Sequence, residues 1–196
     1  MNLAFLGDAL DHWKGSLFQS LQDGGVLRDF AVDPMASDLA LWKPVDFLLY
    51  AKLLRIDRSQ ITPHVCNLAD REKYFTEIAQ TGDLFLDPDT GVATGKRVSI
   101  QHIAPSDIAT LLGSSNRLLL VYQHVRAKRV SDRVNEVCGV LRSQIPDCQW
   151  CSYESGSVAM LFLARNSRRI ETVRRHFANL LGHHATTRIR SIEVKC

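Results

Sequence analysis

Asp83-Leu-Phe-Leu-Asp87, followed at once by Pro88-Asp-Thr-Gly91, is an apolar run of strand length cut off by turn-forming residues. Arg117 to Gln123 is a second such run. Its core, Leu118-Leu-Leu-Val-Tyr122, leaves no polar face and so marks a strand covered on both sides. Between the two runs, the stretch from Ser106 to Leu112 reads as a helix. After the second comes a longer amphipathic helix over Ser131 to Leu141, with Val134, Val137, Cys138 and Leu141 on one side. Buried strands alternating with helices imply an α/β fold, a doubly wound and mostly parallel sheet with helices on both faces.

Outward from that centre the pattern continues. Asp8 to Gln22 spaces Leu10, Trp13, Leu17 and Leu21 at helical steps and stops at Gly24-Gly25. Val26 to Val32 reads as a short strand before Asp33-Pro34. Leu39 to Leu54 is helical, with Pro44 either kinking it or starting a new helix. Asn67 is a good N-cap for a helix through Ala79. Trp150 to Tyr153 and Ser157 to Ala164 form a C-terminal antiparallel hairpin about Glu154-Ser-Gly156. A helix from Ile170 to Leu181 and a strand from Thr187 to Val194 complete the chain. No linker or repeat divides residues 1–196, so a single domain is expected.

The longest apolar run is far shorter than the roughly 20 residues needed to cross a bilayer, so no membrane partner is expected. Asp8 and Asp11 interrupt what a signal peptide would keep apolar. The 5 cysteines are odd in number and scattered, which suits a reducing, cytoplasmic setting. Cys148-x-x-Cys151 follows Pro146-Asp147 and precedes a strand. It reads either as two ordinary thiols in a turn or as a redox or metal pair. The net charge of +3 conceals an asymmetry, because the Lys and Arg surplus lies wholly from Val125 onward. There Arg168, Arg169, Arg174 and Arg175 share one helix, suited to phosphates or simply solvated.

Ligands of open α/β sheets gather beyond the carboxyl ends of the strands. Asp87 and Asp89 stand at one such end and Tyr122 and His124 at another. A carboxylate ending a buried strand is costly unless it meets a donor, a cation or a substrate. It can equally cap the turn through backbone N–H groups, with Gly91 supplying a positive φ. Asp8, Asp11 and Lys14 recur at three-residue steps along the first helix. They can flank a site, or serve the helix as cap and ion pair. His124 can act as general base, metal ligand or plain strand end, and Tyr122 can stack on a base or fill the core.

The blocks Gly7-Asp8-x-x-Asp11-x-x-Lys14, Leu86-Asp-Pro-Asp-Thr-Gly91 and Tyr122-Gln-His124 resemble those of a group of uncharacterised bacterial proteins, a resemblance that implies no activity. More distantly, the chain resembles the J-type large-subunit ribosomal RNA adenine-N6 methyltransferases, Rossmann-like enzymes that use S-adenosylmethionine. Gly7, Asp11 and Lys14 match that family's G-N-x-x-D-x-x-K, with Asp8 in place of Asn. Asp87-Pro88 matches the start of its D-P-P-Y, and Val158 to Leu181 is similar to its late strand and helix. The resemblance implies a Rossmann-like, methyltransferase-like fold. It also implies a cofactor beside Gly7, Asp8, Lys14 and Asp33, and an amine on a flipped base oriented by Asp87. Asp89 and Thr90 replace the second Pro and the aromatic. Asp33-Pro-Met-Ala-Ser37 stands where a glycine-rich turn would be.

Three functions are therefore open. The first is a methyltransferase-like protein acting on nucleic acid with S-adenosylmethionine. The second is a Mg²⁺-dependent phosphodiesterase or nuclease, with Asp87, Asp89 and Asp8 or Asp11 on the metal and His124 or Lys14 activating water. The third is a non-catalytic module binding nucleic acid through its basic half.

Overall fold

Leu84–Leu86 (β2) and Leu119–His124 (β5), the two apolar runs, lie side by side and parallel in a six-stranded sheet. The computed structural model describes residues 1–37, 39–62, 70–78, 82–95, 97–113, 116–125 and 127–191. Ala31–Asp33 (β1) extends the parallel part beyond β2. On the other side of β5 lie Val158–Ala164 (β7), then Gln149–Ser155 (β6), then Ile189–Ser191 (β8). β7 runs antiparallel to both β5 and β6, so β6 points the same way as β5, and β8 opposes it. Strands β1, β2, β5 and β6 thus share one direction, while the expected hairpin β6–β7 is built into the sheet. Gly91–Val92 (β3) and His102–Ile103 (β4) form a small parallel ladder of their own.

Strand alternation sorts the side chains onto two faces. Phe85, Leu120 and Phe162 face one core with Leu17, Phe18 and Leu21 of Ala9–Asp23 (α1), Tyr50 and Leu54 of Pro44–Leu54 (α2), and Phe177 of Ser167–Leu181 (α6). Leu84, Leu86, Leu119 and Val121 face the other. They meet Phe75 of Arg71–Glu77 (α3), Leu111 of Pro105–Leu112 (α4) and Val137 of Val130–Gln144 (α5). Helices cover both faces, as an α/β fold requires.

Pro44 starts α2 rather than kinking a longer helix, since its fixed φ suits a first helical position where no N–H is needed. α1 and α2 cross closely at Gly15, where a Cβ would lie 2.0 Å from the Leu53 carbonyl oxygen. The strand expected over Val26 to Val32 begins only at Ala31. Asp83 accepts the Arg28 N–H at 2.8 Å and Asp29 takes a φ of 45°, so the chain turns there. The last strand also begins later than expected. Ala185–Arg188 (α7) holds the segment in helix until Ile189, and Val194 lies outside the described residues. α3 lies within the helix expected from Asn67 to Ala79, whose two end residues lie outside the described residues as well.

Candidate functional site

The site begins with the entry to α1. Asp8 caps the helix, its Oδ1 accepting the N–H groups of Leu10 at 2.8 Å and Asp11 at 3.2 Å. The Gly7 N–H donates to Asp11 Oδ2 at 2.9 Å. One helical turn on, Lys14 Nζ donates to Asp11 Oδ1 at 3.1 Å and to Asp87 Oδ2, at the carboxyl end of β2, at 2.7 Å. Tyr50 of α2 donates its hydroxyl to the same Asp87 oxygen at 2.6 Å. The Lys14 ammonium also lies 4.5 Å from the centre of the Tyr122 ring. Asp11, Lys14 and Asp87 are all buried, at 1%, 3% and 2% exposed, so two carboxylates share one ammonium away from bulk water.

Burial, and then the Asp87 charge, raise the Asp11 carboxyl above the usual range, against the opposing pull of Lys14 and the Gly7 N–H. Burial alone would pull the Lys14 ammonium down, but Asp87 and Asp11 more than offset it and its pKa is raised. The Tyr50 hydroxyl is pushed well above its ordinary value by burial and by Asp87, which keeps it a neutral donor. Asp87 Oδ2 is thus held by a cation and a phenol. Among the described residues nothing donates to Asp87 Oδ1.

A cavity of about 250 Å³ opens over this cluster, lined by Asp8, Asp11, Lys14, Asp87, Asp89, Tyr122 and His124 among others. Gly7 is not among the lining residues but is tied to Asp11, which is. Asp89 accepts from Ser37 Oγ at 3.1 Å and pairs with the Met1 ammonium at 3.2 Å. The Tyr122 hydroxyl and His124 Nδ1 are 3.3 Å apart. A shallower cleft, sharing Thr90 and His124 with the cavity, continues to Lys128 and Arg133. Glu136 binds both cations there, at 2.9 and 3.2 Å, and its carboxyl is held down at about 2 by Lys128 first and Arg133 after it.

Asp33 does not line the cavity. It is fully buried, and its oxygens accept from the Met35 N–H at 2.7 Å, Tyr74 at 2.5 Å and Thr62 at 2.6 Å. Arg169 also departs from its expected place on an exposed basic helix surface, phosphate-binding or solvated. It turns inward, forms an ion pair with buried Asp83 and donates to the Val26 carbonyl. Cys148 and Cys151 are both buried free thiols, and burial pushes the Cys148 thiol up to about 12. Among the described residues, no group of three or more His, Cys, Asp or Glu side chains is arranged to hold a metal.

Three contributors were not anticipated. Tyr50 sits in an apolar helix, where its hydroxyl was the one signal, since a buried Tyr O–H needs an acceptor. Gln123 is fully buried and shapes the turn after β2. Its Oε1 accepts the Val92 N–H at 2.9 Å, and its amide nitrogen donates to the Thr90 carbonyl at 2.9 Å. It packs so tightly that a Cβ on Gly91, already at φ +102°, would lie 2.4 Å from the Gln123 amide. The third is Phe5, an aromatic 57% exposed that lines the cavity. Comparison with family models, with curated proteins and with solved structures gave no match to this chain.

Proposed function

We propose that the chain is a methyltransferase-like, Rossmann-like α/β protein whose cavity receives an amino-bearing base of a nucleic acid. The observation that carries this reading is the division of labour on Asp87. Lys14 and Tyr50 hold Oδ2, no described residue donates to Oδ1, and Asp87 lines the cavity. Pro88 lines the same wall, and its carbonyl oxygen is the second acceptor this reading invokes. Two acceptors side by side suit the two hydrogens of an exocyclic amine, the group that the methyltransferase resemblance assigns to this motif. Phe5, open to solvent where it lines the cavity, offers the flat apolar face on which a base stacks. Tyr122 serves that purpose less well, because the Lys14 ammonium already sits over its ring. Lys128 and Arg133 in the adjoining cleft suit the phosphates flanking the base.

S-adenosylmethionine does not fit the residues that the resemblance would give it. Lys14 is neutralised by two carboxylates, and Asp33 has both oxygens occupied. Pro34 has no N–H and that of Met35 goes to Asp33, so the first two residues after β1 offer a ligand no free N–H. A cavity of about 250 Å³ also falls below the roughly 300–1,000 Å³ typical of sites for larger ligands. Base recognition is therefore the reading that these residues support, and methyl transfer is not.

The test is binding of a short fluorescent single strand, with adenine or cytosine at one position, against the same strand with an abasic site there. The intact strand is expected to bind more tightly, with the difference lost in Phe5→Ala and in Asp87→Asn. A melting-temperature scan with millimolar S-adenosylmethionine is expected to show no shift. A rise abolished by Lys14→Ala would return the enzyme reading to first place.

A further inference from the structure

We infer that a second, separate site on this chain, a basic groove between α5, the β6–β8 edge and α6–α7, takes the phosphodiester backbone of a single-stranded nucleic acid. The inference rests on the nucleic-acid half of the proposed function, and shares no residue with the cavity. Two adjoining clefts of about 530 and 460 Å³ meet there, both lined by Arg174 and Thr186. Arg142, Arg188 and Arg190 line the larger one and Arg175 the smaller. Against these cations stand Glu154, which accepts from Arg190 at 2.7 Å, and Glu171, which pairs with Arg174 at 3.2 Å.

Arg142 and Arg188 form no ion pair with any described carboxylate, although both are exposed and face the same cleft. A cation with no protein partner in a concave, like-charged setting raises the local concentration of anions. A further sign is Trp150, 6% exposed on the same wall, whose buried indole N–H has no acceptor among the described residues. Buried donors are normally paired, and this one belongs to a residue that lines the groove. The groove's concave lining favours a strand over a flat anionic surface. Its guanidinium groups suit phosphate oxygens, which they can bind through paired N–H donors.

The test is fluorescence anisotropy of a labelled, mixed-sequence single strand across a salt series, with the full chain. Three to four phosphates neutralised would give a slope of log K against log salt of roughly −2 to −3. Arg142→Glu with Arg188→Glu is expected to weaken binding at least about tenfold and to flatten the slope by about 1.4. Lys52→Glu, an exposed reversal on α2, is expected to leave both unchanged. Asp87→Asn should keep the salt slope while losing discrimination between bases, so the groove and the cavity fail independently. The groove assignment is overturned if the double reversal binds like wild type. It is equally overturned if vesicles rich in phosphatidylserine bind the chain and the oligonucleotide does not.

Discussion

β2 has an aspartate at each end, and the two have opposite fates. Asp83 precedes the strand and Asp87 follows it, both at 2% exposed. Asp83 is saturated. Oδ1 accepts the Leu118 N–H at 2.8 Å, while Oδ2 accepts the Arg28 N–H at 2.8 Å and pairs with Arg169. It ties the entry to β1, the start of β5 and helix α6 into one knot. Among the described residues Asp87 has side-chain partners on one oxygen only, and it lines the cavity. Burial of a carboxylate at a strand end is thus no guide to function by itself. Under the proposed function, what separates Asp83 from Asp87 is whether the protein satisfies both oxygens.

The sharpest way to break that contrast is one substitution made at both ends. Asp83→Asn would set an amide N–H₂ against existing donors and leave Arg169 buried without a counter-charge. A broken buried pair costs about 3–5 kcal/mol, to be read as a drop in the denaturant midpoint. Lys14→Met comes next, at about 3 kcal/mol near neutral pH, because Asp11 and Asp87 would face each other with no cation between them. One of them would then bind a proton far above its unfolded pKa. Native protein would hold more protons than unfolded protein in that window. Stability would therefore fall as pH rises through it, and the Lys14→Met deficit should shrink between pH 8 and pH 5.

Asp87→Asn is the gentle member of the pair. Its amide oxygen can still accept from Tyr50 and Lys14, and Lys14 keeps Asp11, so the midpoint should move by less than about 1 kcal/mol. A loss as large as that of Asp83→Asn would make Asp87 architectural and remove the centre of the site. The smallest effect belongs to Glu136, a half-exposed carboxylate whose pKa is held down to about 2 by Lys128 and Arg133. Its contribution is present above the unfolded value of 4.5 and fades as pH falls toward 2. Solvent screening limits it to about 0–1 kcal/mol, so Glu136→Gln should alter only the acid limb of a stability–pH curve.

Much of this was legible in the sequence, and the reason is locality. Continuous apolar runs announce buried strands, so β2, β5 and the β6–β7 hairpin were readable. Strand-end placement then brought Asp87, Asp89, Tyr122 and His124 to one region, and three-residue spacing put Asp8, Asp11 and Lys14 on a shared flank. Unreadable features depend on partners far along the chain. Asp33 looked available, but Thr62 and Tyr74 occupy it. Arg169 looked like one of four surface arginines, yet Asp83 draws it inside. Tyr50 was hidden in an apolar helix whose contact with α1 depends on the close crossing at Gly15.

The central claim, that Asp87 Oδ1 accepts an exocyclic amine, is tested most directly by deleting that amine. Single strands carrying adenine or 6-unsubstituted purine at one position, and cytosine or 2-pyrimidinone at the same position, would be compared by anisotropy with wild type and with Asp87→Asn. In the variant the amide oxygen stays on Lys14 and Tyr50, so its N–H₂ faces the cavity as a donor where a carboxylate oxygen stood. A hydrogen bond to a charged acceptor is worth about 1.5–3 kcal/mol, so wild type should prefer the amine in at least one pair by about tenfold or more. The preference should vanish in Asp87→Asn while the fold is retained. Equal binding of all four strands by wild type, or a preference that survives in the variant, would contradict the account.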